Sequence, residues 1–188
     1  MVSKSRKTVR VLLSSLAVVS ITAGLTSGCS KEEPKSAGRE LEIKPGLLPA
    51  VAKQIPLAST FSELLSASSV LATTSSTSKF TYFVPTNQAI EDYFKLKGIT
   101  KEALVADAAL LQAFVGAHVT SGEIGATNLL NRTGESLTML NGSQLLIGKS
   151  KDSQVTLKTA GFTEGTLIAI DVPATNGLLQ LVNKVLAS

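Results

Sequence analysis

The sequence predicts an α+β fold, on three observations. Helical patterns dominate the first half: Thr60-Phe61-Ser62-Glu63 has capping-box spacing ahead of Leu64 and Leu65, and Leu110, Leu111, Phe114, Val115 and His118 recur at one-face spacing. From Glu135 onward the pattern turns to β, with Asn141-Gly142 between the runs 137–140 and 144–147. Asn176-Gly177 then divides the apolar runs 167–172 and 178–186, a second tight-turn signal.

The elements follow in order. The capping box starts a helix over about 60–71, with Glu63 reaching back to the Thr60 amide. The Ser/Thr-rich stretch 73–78 has no periodicity and reads as a loop. A β-rich run from Phe80 stops at Pro85, which cannot donate to a ladder. Thr86 or Asn87 can then cap a short helix with Ala89, Ile90, Tyr93 and Phe94 on one face. Thr100 caps another short helix and Asp107 a longer one that runs toward His118. The hairpin at Asn141-Gly142, an alternating segment at 155–158 and the two runs around Asn176-Gly177 supply the sheet. No internal repeat is visible.

Lys4, Arg6, Lys7 and Arg10 precede an apolar run over 11–25 that is too short to span a bilayer and reads as a signal-peptide core. Residues 25–29, Leu-Thr-Ser-Gly-Cys, resemble a bacterial lipobox, which implies cleavage after residue 28 and lipidation of Cys29. The alternative is an ordinary secretory signal followed by an incidental cysteine. Cys29 is the only cysteine, so no disulfide forms within the chain, and stability must come from core burial. Residues 30–45 carry balanced charges, two prolines and almost no apolar side chains, the composition of a tether. Ser30-Lys31-Glu32-Glu33 also resembles the short acidic signals that send lipoproteins to a bacterial cell surface. The expected organisation is therefore a signal at 1–28, a tether at 29–47 and one domain at 48–188. Removing 1–28 takes away four of the 18 basic residues and none of the 14 acidic ones, leaving a formally neutral chain. That neutrality argues against nucleic acid as a partner.

Two segments carry a family resemblance. The sequence 80–94, FTYFVPTNQAIEDYF, and the sequence 171–186, DVPATNGLLQLVNKVL, together resemble the paired boxes of the fasciclin, or FAS1, domain. Between them, 110–118 resembles the family's helix ending in a histidine, and 137–147 its central hairpin. The resemblance implies a wedge of two β-sheets with N-terminal helices packed alongside. It also implies structural roles for Pro85, Thr86, Asn87, Asn176 and Gly177, and two candidate interaction positions. One is His118, although the tyrosine that the family often places before this histidine is Ala117 here. The other is Asp171-Val172, which resembles an integrin-recognition pair ahead of the Ala174-Thr175-Asn176-Gly177 turn.

Each candidate has a structural alternative, which we favour. His118 can bond a backbone carbonyl at a helix end, and Asp171 can bond nearby amides at a strand end. The sequons at Asn131 and Asn141 are weak signals, since the turn already explains Asn141. With one histidine and one cysteine the chain cannot build the usual structural zinc site, and neither metal nor cofactor is expected. A triad of a serine, His118 and Asp171 lacks the Gly-x-Ser-x-Gly elbow. The reading that follows is a non-catalytic, lipid-anchored interaction module at the bacterial envelope. Its partners would be the membrane, through Cys29, and an envelope protein or glycan; the alternative is a carrier of a small apolar ligand.

Overall fold

Strand β1 (Phe80–Pro85) is buried along its whole length, and this central element organises the fold. Its neighbours are β7 (Gly177–Val182), parallel, and β2 (Val119–Ser121), antiparallel. The computed structural model describes residues 46–70, 78–160 and 164–187, so the expected signal at 1–28, Cys29, the tether as far as residue 45 and residues 73–77 lie outside the described residues. Among the described residues, seven strands run in the order β2-β1-β7-β6-β5-β4-β3, where β3 is Ser136–Thr138, β4 Gln144–Lys149, β5 Val155–Thr159 and β6 Gly165–Ala174. The expected pair of sheets takes the form of two sections that share β6. Its register shifts between Leu167 and Ala169 and again between Ala169 and Val172, so one long strand serves both sections.

The outer strands of the two sections also meet. The Leu140 amide donates to the Val119 carbonyl at 2.8 Å, and Thr120 Oγ1 donates to the Thr138 carbonyl at 2.9 Å. These bonds cover edges that would otherwise invite strand addition. Phe83, Leu167 and Val182 from one section pack with Leu137, Leu145, Ile147, Val155 and Leu157 from the other, forming an apolar seam that Leu129 and Leu186 also enter.

Both faces of β1 are buried, which explains why it lacks the alternation of a half-exposed strand. The helices among the described residues include α1 (Leu48–Ala52), α2 (Ser59–Ala67), α3 (Asn87–Lys97), α4 (Lys101–Ala106), α5 (Ala108–Gly116) and α6 (Ala126–Asn131); α1 packs against β7, α2 against α1, α3 and α5, and α6 against β4 and β5. Asp107 caps α5 by accepting from the Ala109 and Leu110 amides, and Thr100 caps α4 through the Ala103 amide, as expected. Of the expected α5 face, Leu111, Phe114 and Val115 are buried, whereas Leu110 is exposed. On α3, Ala89, Ile90 and Tyr93 are buried.

Two expectations need correction. The capping box does not form: α2 starts at Ser59 with Ala58 at its N-cap, so Thr60 already lies in the first turn, and Glu63 pairs with Lys101 instead. That helix also ends at Ala67, because Ser68 turns to extended backbone and its hydroxyl takes the Leu65 carbonyl. The Asn-Gly turns are present with shifted centres. Asn141 and Gly142 lie inside the five-residue connection 139–143, where the Met139 amide donates to the Ser143 carbonyl and Gly142 takes φ +83°, while Thr175 and Asn176 form the β6–β7 turn and Gly177 opens β7.

Candidate functional site

The two boxes lie on adjacent parallel strands, and each presents an asparagine to a helix it does not belong to. Thr86, not Asn87, is the N-cap of α3, its hydroxyl accepting from the Ala89 amide at 3.2 Å. Asn87 faces back across the chain. Its Oδ1 accepts from the Thr60 amide at 3.0 Å, and its Nδ2 donates to the Pro56 carbonyl and to Ser59 Oγ. Asn176 is buried, and its Oδ1 accepts from the Leu48 amide at 2.8 Å while its carbonyl accepts from the Phe80 amide. Both helix starts served in this way lack a capping side chain of their own, Leu47 for α1 and Ala58 for α2. Helix starts leave orphan amides, so the missing caps were a sequence signal that donors there needed acceptors from elsewhere.

Pro85 ends β1 opposite Val182, and the Thr86 amide just beyond it donates to the Val182 carbonyl. Gly177 occupies φ +145° opposite Phe80, and a Cβ there would sit 1.8 Å from the Phe80 carbonyl oxygen. Only glycine lets the parallel strands approach so closely.

His118 is wholly buried directly after α5. Its Nδ1 lies 2.8 Å from the Phe114 carbonyl, and its Nε2 lies 2.9 Å from the Leu186 amide. A carbonyl can only accept and an amide can only donate, so the ring is the neutral Nδ1–H tautomer with Nε2 as acceptor. Phe61 meets the ring edge-on at 5.3 Å between centroids, and Phe114 lies at 5.1 Å. Burial pushes the imidazole down to about 4, only partly opposed by its bond to the Phe114 carbonyl.

Asp171 sits on the irregular stretch of β6 with φ +55°, a left-handed conformation that Asp tolerates better than most side chains. Its Oδ1 accepts from the Ala126 amide at the start of α6 and from Gln180 Nε2, while its own amide donates to Gln180 Oε1. The residue remains exposed, whereas Val172 beside it is buried. Gln180, which the sequence reading missed, is fully buried and also donates to the Ile124 carbonyl. Its signal was a lone amide within the apolar run of β7.

The candidates thus fall into separate places. His118 and Asp171 bond to different partners, so the imagined triad with a serine is not assembled. Among the described residues no group of three or more His, Cys, Asp or Glu side chains could hold a metal. Asn141 Nδ2 donates to the Ala113 carbonyl, and its Oδ1 accepts from the amide and hydroxyl of Ser143, so this sequon amide is engaged in fixing the loop against α5. An open cavity of about 410 Å³ lies between α5 and that loop, lined by Val70, Ala109, Gln112, Ala113, Leu140 and Asn141. No helix among the described residues is long and apolar enough to cross a membrane.

No curated protein matches the chain. Among solved structures it is similar to the FAS1 domain pair of the insect cell adhesion molecule fasciclin I, with a TM-score of 0.66 and 14% sequence identity. That similarity covers 77% of this chain and 52% of the other, so the chain spans about half the length of the domain pair, and at this identity the likeness speaks to fold alone. The fasciclin-domain family profile matches residues 56–188, the stretch that holds both boxes, the His118 contact and all seven strands, and the chain belongs to the fasciclin-domain family.

Proposed function

We propose that this chain is a non-catalytic interaction module of the bacterial envelope, anchored by lipid on Cys29 and binding an envelope protein or glycan through its exposed surface. The fasciclin family is one of cell-adhesion modules, typically extracellular or at the cell surface. The observation that carries the reading is the use made of His118: both ring nitrogens are committed to backbone groups inside the core, so the one histidine of the sequence serves architecture. Asp171 is the candidate that stays exposed, and its bonds to Ala126 and Gln180 hold that carboxylate in one place. A charge fixed before contact loses little entropy on binding, which suits recognition. Because β2 and β3 bond to each other, recognition would proceed through side chains and loops and not by adding a strand.

The test uses the full lipidated chain, cross-linked in its native envelope and recovered from it. Saturable capture of one protein or glycan supports the proposal. Capture of none, across several cross-linkers and with the protein confirmed at the membrane, overturns it. The second reading, a carrier of a small apolar ligand, is favoured by the cavity beside α5, whose lining carries no charge. Its discriminator is organic extraction of the purified protein, which would then release a stoichiometric apolar compound.

A further inference from the structure

The segment after β7, residues 183–187, belongs to no strand or helix, yet Val185, Leu186 and Ala187 are buried. Leu186 enters the seam between the two sheet sections beside Phe83, Leu129 and Met139. Asn183 ties the start of this strap to β6: its amide donates to the Thr166 carbonyl, and its Oδ1 accepts from the Thr166 amide. Beyond Asn183, among the described residues, the strap's hydrogen bonding rests on the Leu186 amide, which donates to His118 Nε2. Beside the burial of its side chains, the strap beyond Asn183 is thus fixed by one imidazole lone pair.

We propose that His118 is a proton-sensitive latch, and that protonating Nε2 releases residues 184–187 and uncovers the apolar seam. Once Nε2 carries a proton it points a donor at the Leu186 donor, so the bond becomes a repulsion. The ring cannot turn to relieve this, because its other nitrogen faces the Phe114 carbonyl and the rings of Phe61 and Phe114 flank it. The ionisable groups on the elements packed around it are Glu63 on α2, Asp107 at the start of α5, Tyr82 on β1, Lys184 on the strap itself, and on α3 Tyr93, which lies against Phe114, with Glu91, Asp92, Lys95 and Lys97. Glu63 pairs with Lys101 and Asp107 caps its helix, and neither of the ring's hydrogen bonds goes to any of these groups. No carboxylate bonds the imidazolium, so the added charge is relieved by the strap leaving and the ring reaching water. An acid-exposed apolar seam is the kind of surface that self-association or membrane contact uses.

Amide hydrogen exchange on the full chain tests the latch from pH 7 to 4.5, after correction for the intrinsic pH dependence of exchange. The opening constant at Leu186 should rise about tenfold per pH unit as pH falls below the ordinary histidine range, the slope of one linked proton. The amides of β1 and β7 should exchange more slowly than Leu186 at every pH, as expected of a local opening. Leu186 exchanging at the same rate as those strands would overturn the latch, since the strap would then leave only with the whole fold. A Leu186 opening constant that does not change with pH would also overturn it. His118→Gln offers an amide oxygen to Leu186 without a titrating ring and should abolish the slope, and a slope that persists in it assigns the proton elsewhere and overturns the proposal. Should that variant fail to fold, the measurements on the wild-type chain decide alone.

Discussion

Asn87 and Asn176 do the same chemical job in different surroundings. Each gives Oδ1 to the first amides of a distant helix, Asn87 to Thr60 of α2 and Asn176 to Leu48 of α1. Asn87 is half-buried at a helix start, whereas Asn176 is 2% exposed in a two-residue turn between strands. Water can replace the first acceptor and cannot reach the second. The two boxes are thus similar clamps of unequal weight, and together they explain how a sheet whose strands are scattered along the chain holds helices that lack caps of their own.

The largest effect is expected beside the buried clamp. Gly177→Ala would place a methyl against the Phe80 carbonyl, where backbone and not a flexible side chain stands in the way. A loss of more than about 4 kcal/mol is expected, enough to prevent folding of most domains of this size. Circular dichroism of the purified variant checks this, and a native melting temperature would mean that the strands separate more easily than their register implies.

The next effect is electrostatic and involves both halves, because His118 links α5 to the strap after β7. Its folded pKa, pushed down to about 4, lies below the ordinary histidine value, so the unfolded chain binds the proton more readily. Stability is therefore full above about pH 6.5, falls as pH drops toward 4 and levels off below that. The linked loss approaches about 3 kcal/mol across the window, the equivalent of the shift. His118 is the only histidine, so between pH 6.5 and 5 few other side chains titrate, and denaturant melts at those two values isolate it. Equal midpoints at both would remove the buried neutral imidazole from the account.

The asparagines themselves come next. Asn176→Ala leaves the Leu48 amide buried without an acceptor and should cost about 2 to 3 kcal/mol. Asn87→Ala should cost about 1 kcal/mol, since solvent reaches its partners. Chemical denaturation of both variants gives the ratio directly, and equal losses would refute burial as the source of the difference.

How much of this was legible follows from which interactions are local. The caps at Thr86, Thr100 and Asp107 were readable because a cap and its amides lie within three residues of each other. The box at Thr60–Glu63 misled for the same reason: its spacing was right, but the helix began one residue earlier and its first-turn amide was already taken by Asn87, 27 residues away. Strand β2 was too short to show a period, and the parallel pairing of β1 with β7 joins residues about a hundred positions apart. The two Asn-Gly signals located turns correctly, but glycine's freedom served a loop at Gly142 and a close strand approach at Gly177. For the candidate site, the sequence supplied the names His118, Asp171 and Asn176, while their partners Leu186, Gln180 and Leu48 became visible only in the folded chain.

The smallest expected effect separates scaffold from surface at Asp171. Its Oδ1 accepts from the Ala126 amide and from Gln180, which points to a cap, yet the residue is exposed, which points outward. Asp171→Asn keeps one side-chain oxygen and the shape, so the Ala126 bond can persist, weakened by loss of charge at the start of α6. The new amide group can also turn toward solvent without leaving a buried donor unpaired. The expected loss is about 1 kcal/mol or less, with the left-handed backbone retained because Asn tolerates it as Asp does. Capture of an envelope partner should stay nearly intact if capping is the main role of the carboxylate. Thermal melts and cross-linked recovery, measured on the same preparation, resolve the two roles. An Asn variant that melts like wild type but recovers no partner would make the Asp171 carboxylate a recognition group and leave the capping of α6 to the remaining backbone contacts.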